Sequence, residues 1–216
     1  MDYETLDVLY HSRKTLLEIL EGRGYNVAPF SKFGPFEIGV MAASGPGAFR
    51  MDLERPAAAA TDTGKTKCRV EFTQKVKLRL AGYMNSMTDP EESDPVDPET
   101  TELIVLTLEP IVDAFHSIAA TYMATKKMHV SFFQAHTLVQ NPLKHALVPK
   151  HEIVPRDNHA EFLKSIRATS KSQLPLIRFH EDMIARIMTL SPGDIVKITR
   201  PSPSAGVYTS YRVCVP

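Results

Sequence analysis

Two cysteines are all the thiols in these 216 residues, and Cys68 and Cys214 stand too far apart to read as a disulfide framework or a zinc motif. That usage suits a reducing compartment, cytosol or nucleus. Long apolar runs are missing too. None approaches the roughly 20 residues of a membrane-spanning helix, so no membrane partner is expected. The acidic, polar N-terminal stretch is not expected to act as a secretory signal. Neither GxGxxG nor GxxxxGK(S/T) occurs, and Gly45-Pro46-Gly47 lacks both the spacing and the lysine of a phosphate loop.

Catalytic groupings are equally sparse. The eight histidines are scattered, and none forms HExxH or a Cys/His ligand cluster. Ser202, Ser204, Thr209 and Ser210 carry hydroxyls, yet the nearest histidine, His180, comes with no sign of a base and its orienting partner. No catalytic, metal or cofactor residue is therefore assigned. Net charge is absent as well, with 25 Lys+Arg against 25 Asp+Glu. The balance hides an asymmetry: residues 145–216 hold 10 basic and 6 acidic residues, while residues 1–144 hold 15 and 19. Seven of those acids lie in Asp89–Glu102, which has no lysine or arginine. Nothing here is a strongly basic nucleic-acid binder in its own right.

What is present reads as alternating elements. Asp2 to Arg23 is an amphipathic helix with Leu6, Leu9, Leu16, Leu17 and Leu20 on one side, Asp2 as cap and Gly22 and Gly24 as stop. Arg13 and Lys14 are expected on its watery side. Ala28 to Lys67, rich in Gly, Pro and Ala, is expected to be irregular, and Ala57–Ala60 is too short for a stable helix. Lys67 to Thr73 alternates like a half-buried strand. Val76 to Met84 is either helix or strand, and its alternation leans to strand. Asp89 to Thr101 holds Pro90, Pro95 and Pro98 among acids and is expected to be a flexible solvated loop. Leu103 to Leu106 suits a buried strand, Pro110 to Thr125 a helix, and Met128 to Phe133 a strand, which together make a βαβ unit. Gln140-Asn141-Pro142 reads as a linker. Asp157 is expected to cap a helix reaching Arg167, with Phe162, Leu163 and Ile166 inward.

The stretch Gln173 to Arg212 is the most informative. A helix is expected near Glu181, then a turn at Pro192-Gly193-Asp194. Two β-rich runs follow, from Ile195 to Thr199 and from Val207 to Val213, separated by Pro201 to Gly206. Strand, tight loop, strand is a hairpin. Alternation sets Lys197 against Val196 and Ile198 in facing, and Tyr211 against Arg212. One face is expected to fill the core and the other to dock on a partner, since Tyr and Arg are favoured at interfaces.

Three separated motifs in order carry a family resemblance, Arg13 to Tyr25 being the first. The other two are Leu147-Val148-Pro149-Lys150-His151-Glu152 and the run of Gln173-Leu174-Pro175 with Ile177, Ala185-Arg186, Gly193 to Ile198, Arg200-Pro201-Ser202, Ala205-Gly206, Tyr208 and Tyr211-Arg212. They resemble the assembly domain of the fifth subunit shared by nuclear RNA polymerases I, II and III, and that of its archaeal counterpart. Arg13 to Tyr25 resembles the start of the eukaryotic N-terminal jaw domain. Departures are Asp182-Met183 where the family has Asp-Pro, and a poorly matching segment from Ala28 to Thr101. Such drift suits a divergent lineage, a large DNA virus with its own polymerase included, so cellular and viral sources both stay open.

The resemblance implies an α/β chain: an N-terminal α/β jaw, nuclease-like in topology but without an active site, over 1–140 with a flexible acidic loop at 89–102. A small C-terminal α+β assembly domain with a terminal hairpin follows over 145–216. It favours a helix for Val76 to Met84. It implies a non-catalytic polymerase subunit, in the nucleus or, if viral, in the virion and viral factory. Its partners are the largest subunit and the rest of the core, transcription factors, and downstream DNA contacted without sequence preference. Interface residues implied are Pro149, His151, Lys197, Arg200, Ser202, Gly206, Tyr208, Tyr211 and Arg212. Residues proximal to DNA are Arg13, Lys14, Thr107 and Pro110. A stand-alone adaptor that binds polymerase or its factors transiently is the alternative.

Overall fold

The computed structural model describes residues 2–56, 64–89 and 94–216. Its first element is the helix that the leucine spacing predicts. α1 spans Tyr3–Gly22, and the Asp2 side chain accepts from Thr5 N. Leu9 and Leu20 are fully buried, each contributing roughly 1.5–3 kcal/mol. Gly24 then takes φ +85°, a conformation that disfavours a Cβ, and turns the chain away. Arg13 does not face water. It is 3% exposed, donates from Nη1 to Phe49 O at 3.2 Å, and lies 5.0 Å from the centre of the Phe49 ring. The buried arc of α1 is wider than a leucine stripe, because Ser12 and Thr15 are buried too. A flat guanidinium on an aliphatic stem fits such an aromatic wall. Burial pulls Arg13 down to about 10.

The segment expected to be irregular is ordered in part. α2 spans Pro35–Ser44, a single 3-10 turn covers Pro46–Phe49, and β1 covers Met51–Glu54. The signals were local: Pro35 in the first helical turn, and Glu37 reaching back to accept from Gly34 N at 2.5 Å. Ala57–Ala60 lies outside the described residues.

β1 pairs antiparallel with β2 (Lys67–Thr73), and β2, β3 (Thr101–Thr107) and β4 (Val130–Gln134) run parallel in the order β1-β2-β3-β4. β2 is not half-buried, since six of its seven residues are buried. It lies between two neighbours with both faces covered, the usual state of parallel strands. On one face, the Phe72 ring lies 4.9 Å from Phe49, the same ring that α1 reaches through Arg13. On the other face, Leu103, Val105, Val130 and Phe132 form one core with Leu80 and Met84 of α3 (Leu80–Thr88) and with Phe115, Ala119 and Tyr122 of α4 (Asp113–Lys126). Strand β3, helix α4 and strand β4 make the expected βαβ unit. The stretch after Val76 is helical, a 3-10 turn over Lys77–Arg79 leading into α3: Val76 and Leu80 turn inward while Leu78 is 98% exposed, so its alternation did not mark a sheet face.

The acidic stretch is less free than its composition suggests. Val96 is 2% exposed and belongs to the same core. Asp94 pairs with Arg50 and with Arg69, and β3 already begins at Thr101. Two arginines beside the β1–β2 edge supply the counter-charge that the sequence pattern did not reveal. Residues 90–93 lie outside the described residues.

The chain divides into two compact units, Met1–Asn141 and Pro142–Pro216. The second unit holds β5 (Lys150–Val154), α5 (His159–Ser165), β6 (Leu176–Arg178), α6 (Met183–Ile187), β7 (Ile195–Ser202) and β8 (Gly206–Val215). Its sheet runs β5-β7-β8-β6, antiparallel except for the β6–β8 pair. Asp157 sits inside a 3-10 turn rather than at a cap. Phe162 and Leu163 pack against Leu174, Ile195 and Val213, but Ile166 lies past the end of α5 and is 40% exposed. α6 starts at Met183, where the Asp182 carboxylate accepts from Ile184 N at 2.8 Å and Ala185 N at 3.0 Å. Both units are mixed α/β. Among the described residues, no helix is long and apolar enough to cross a membrane.

Candidate assembly surface

The hairpin forms because its loop is built to turn. Ser202 Oγ accepts from Ala205 N at 3.3 Å, and Gly206 takes φ +71°. Ser202 pairs with Gly206, Arg200 with Tyr208, Lys197 with Tyr211 and Val196 with Arg212. At its base the two-stranded ribbon is buried on both faces: Ile195 and Val196 are 0% exposed and Ile198 is 2% exposed. It emerges beyond Thr199 and Thr209, where Val207 is 62% and Tyr208 57% exposed and Arg200 is exposed as well. The division between core and surface therefore runs along the hairpin rather than between its faces.

That division sorts the expected interface residues. Arg200, Ser202, Gly206 and Tyr208 come together at the free end. Tyr211 does not join them. Its ring lies 4.4 Å from Phe162, inside the unit's own core. Lys197 shares that face and lies 3.7 Å from Glu152, which Lys150 also pairs at 2.5 Å. The Lys150 hydrogen bond holds the Glu152 carboxyl below the ordinary range. Arg212 is spent internally too, donating from Nη1 to Leu176 O at 2.8 Å and so fastening β6 to the sheet. His151 Nδ1 donates to Pro149 O at 2.7 Å, which fixes the start of β5.

Of the residues expected near DNA, Lys14 and Pro110 are exposed, but Arg13 is buried and Thr107 is fully enclosed. Thr107 accepts from Glu109 N at 3.2 Å and shapes the loop instead. Sequence reasoning missed Val207, whose outward turn no spacing rule marked. It also missed the role of Asp194. This carboxylate is 2% exposed, accepts from Ser191 N at 2.8 Å and from Arg156 Nε at 2.9 Å, and locks the turn before β7. Beside it, burial pushes the Cys214 thiol up to about 12. Among the described residues, no group of three or more His, Cys, Asp or Glu is placed to hold a metal.

A small sheet offering one basic, aromatic and apolar ribbon end has the form of a docking module. The signature of the family described as RNA polymerase Rpb5, C-terminal domain, matches residues 140–214. The Caenorhabditis elegans protein named DNA-directed RNA polymerases I, II, and III subunit RPABC1 is 31% identical over 214 residues, covering 96% of this chain and 95% of that protein. The Dictyostelium discoideum subunit of the same name is 29% identical over 98% of this chain and all of its own length. The DNA-directed RNA polymerase subunit Rpo5 of Archaeoglobus fulgidus is 48% identical over 71 residues, 33% of this chain and 91% of that protein. The chain belongs to the Rpb5 family of DNA-directed RNA polymerase subunits. These relatives are eukaryotic and archaeal, and they lend the viral reading no support.

Proposed function

We propose that this chain is a structural, non-catalytic subunit of a multisubunit DNA-directed RNA polymerase. Arg200, Ser202, Gly206, Val207 and Tyr208 at the hairpin end anchor it on the largest subunit. The N-terminal unit serves as the jaw beside downstream DNA and offers a surface to transcription factors. Lys14 and Pro110 are the accessible members of the set expected near DNA. A phosphate contact there is independent of sequence and weakens with salt. Nucleotidyl transfer belongs to other subunits, and the site of action is the nucleus.

The observation that carries this reading is the likeness to shared polymerase subunits along nearly the whole chain, joined to a hairpin end that its own domain does not cover. The test is purification of the chain from its native source through a high-salt wash, followed by mass spectrometry. Equimolar recovery of the two large polymerase subunits is expected. Recovery alone, or with a small fraction of polymerase, overturns the reading in favour of a transient adaptor.

A further inference from the structure

A hollow of about 450 Å³ opens where β2 ends and α3 begins. Lys75 and Val76 line it from the strand end, and Arg79, Gly82 and Tyr83 from the helix. Arg79 and Gly82 are three residues apart and so stand on one side of α3. Glycine is a poor helix former. Yet a Cβ at Gly82 would meet nothing within 4 Å, so alanine would favour the helix without a clash. Nothing in the chain's own packing asks for glycine on this wall. Tyr83 adds a second feature: its hydroxyl is enclosed and has no hydrogen-bond partner among the described residues. Burial, with the Glu71 charge, pushes that hydroxyl up, so it stays protonated and able to donate. Buried polar groups are normally paired, and this donor is still to be spent.

The two charged residues that line the hollow, Lys75 and Arg79, are both exposed and both basic. Among the described residues neither forms an ion pair. Glu109 acts on Lys75 through space, but its Oε2 already accepts from Val76 N at 2.7 Å and Lys77 N at 2.9 Å. Glu71 is 4% exposed and lies 3.5 Å from Arg50. We propose that the hollow receives an acidic segment of another protein, one that carries an apolar residue beside its carboxylates. The carboxylates meet Lys75 and Arg79, and the apolar side chain packs on Val76 and the Tyr83 ring over Gly82. Opposite charge sets register and excludes basic segments. A DNA duplex is broad and convex. It would touch only the exposed tips of Lys75 and Arg79 and leave Val76, Gly82 and Tyr83 uncovered. The inference deepens, and rests on, the reading that the N-terminal unit offers a surface to transcription factors.

The test puts a photoreactive benzoylphenylalanine at position 78 of the full chain, where Leu78 is 98% exposed and adjoins Arg79 in sequence. Living cells are irradiated, the polymerase is purified, and the attached peptide is identified by mass spectrometry. The expected product carries aspartates or glutamates beside an apolar residue. Gly82→Met, which puts a side chain into the hollow and favours the helix, should lower its yield at least fivefold. Lys75→Ala with Arg79→Ala should do the same. Neither change should lower the melting temperature or the recovery of polymerase. A cross-link to a basic or neutral segment, to a second copy of the chain or to nucleic acid overturns the inference. So does an acidic cross-link whose yield both changes leave intact, and so does the absence of any cross-link while the large subunits co-purify. Loss of the large subunits reports on the polymerase reading separately, and the sensitivity of the cross-link to Gly82→Met still decides the docking inference.

Discussion

Arg23 Nη2 lies 2.5 Å from both carboxylate oxygens of Glu102, and Glu102 is 2% exposed. The pair joins the end of α1 to the start of β3. Burial alone would raise the Glu102 carboxyl, but the Arg23 charge overrides it and holds the group below its ordinary range. Removing one partner strands a buried charge. Arg23→Met should therefore cost about 3–5 kcal/mol in urea unfolding, and Arg23→Met with Glu102→Leu clearly less. Because the folded carboxyl is depressed, its contribution is present at neutral pH and fades as pH falls through the folded value. An equal loss in the single and double variants would show that the pair is not a coupled unit.

Glu71 titrates in the opposite sense. Burial raises it from 4.5 to about 7, despite the nearby charges of Arg50 and Arg69. A carboxyl raised in the folded state binds more protons folded than unfolded, so stability is highest below the unfolded value and falls as pH rises through 7. Glu71→Gln should remove that fall, a difference on the order of 2–3 kcal/mol between pH 4.5 and 8. Denaturant midpoints across this window check it, and parallel profiles for both proteins would refute it.

Tyr208 and Tyr211, three residues apart, should separate cleanly. Tyr208→Ala alters an exposed site and should leave the melting curve within about 0.5 kcal/mol of the parent, while weakening retention by the largest subunit. Tyr211→Ala removes the ring that meets Phe162 and should cost about 2 kcal/mol or more. Thermal melts alongside salt-wash retention measure both, and comparable loss of stability in the two variants would contradict the proposed anchor.

Asp182 caps a helix of five residues, Met183–Ile187. Asp182→Ala should cost about 1 kcal/mol, whereas Asp182→Ser should recover most of it. Chemical denaturation of the three proteins is the check, and a neutral Asp182→Ala would mean that tertiary packing alone holds α6.

The sequence was most legible where period and punctuation agreed. The leucines of α1, the run Leu103–Leu106 and the proline–glycine loop between β7 and β8 each carried both. Position relative to neighbours was far less legible. Nothing local says that Phe49 will cover Arg13, or that Arg50 and Arg69 will fasten Asp94, since those contacts close loops of tens of residues. Tyr208 and Tyr211 illustrate the limit at the candidate site. Alternation set Tyr211 against Arg212 and divided the hairpin by face, but burial along the hairpin depends on where Phe162 ends its cover, which no spacing encodes.

β8 occupies an interior place in its sheet, hydrogen-bonded to β7 on one side and β6 on the other. During synthesis the second unit therefore cannot close until Gly206–Val215 has left the ribosome, although the unit ending at Asn141 can fold in the meantime. At about 5–20 residues per second, the 75 residues from Pro142 to Pro216 take roughly 4–15 s to make. In the last part of that interval, from the completion of β7 at Ser202 until β8 has emerged, the run Ile195-Val196-Lys197-Ile198 lacks its central partner, so nascent chains should depend most on chaperones at this point.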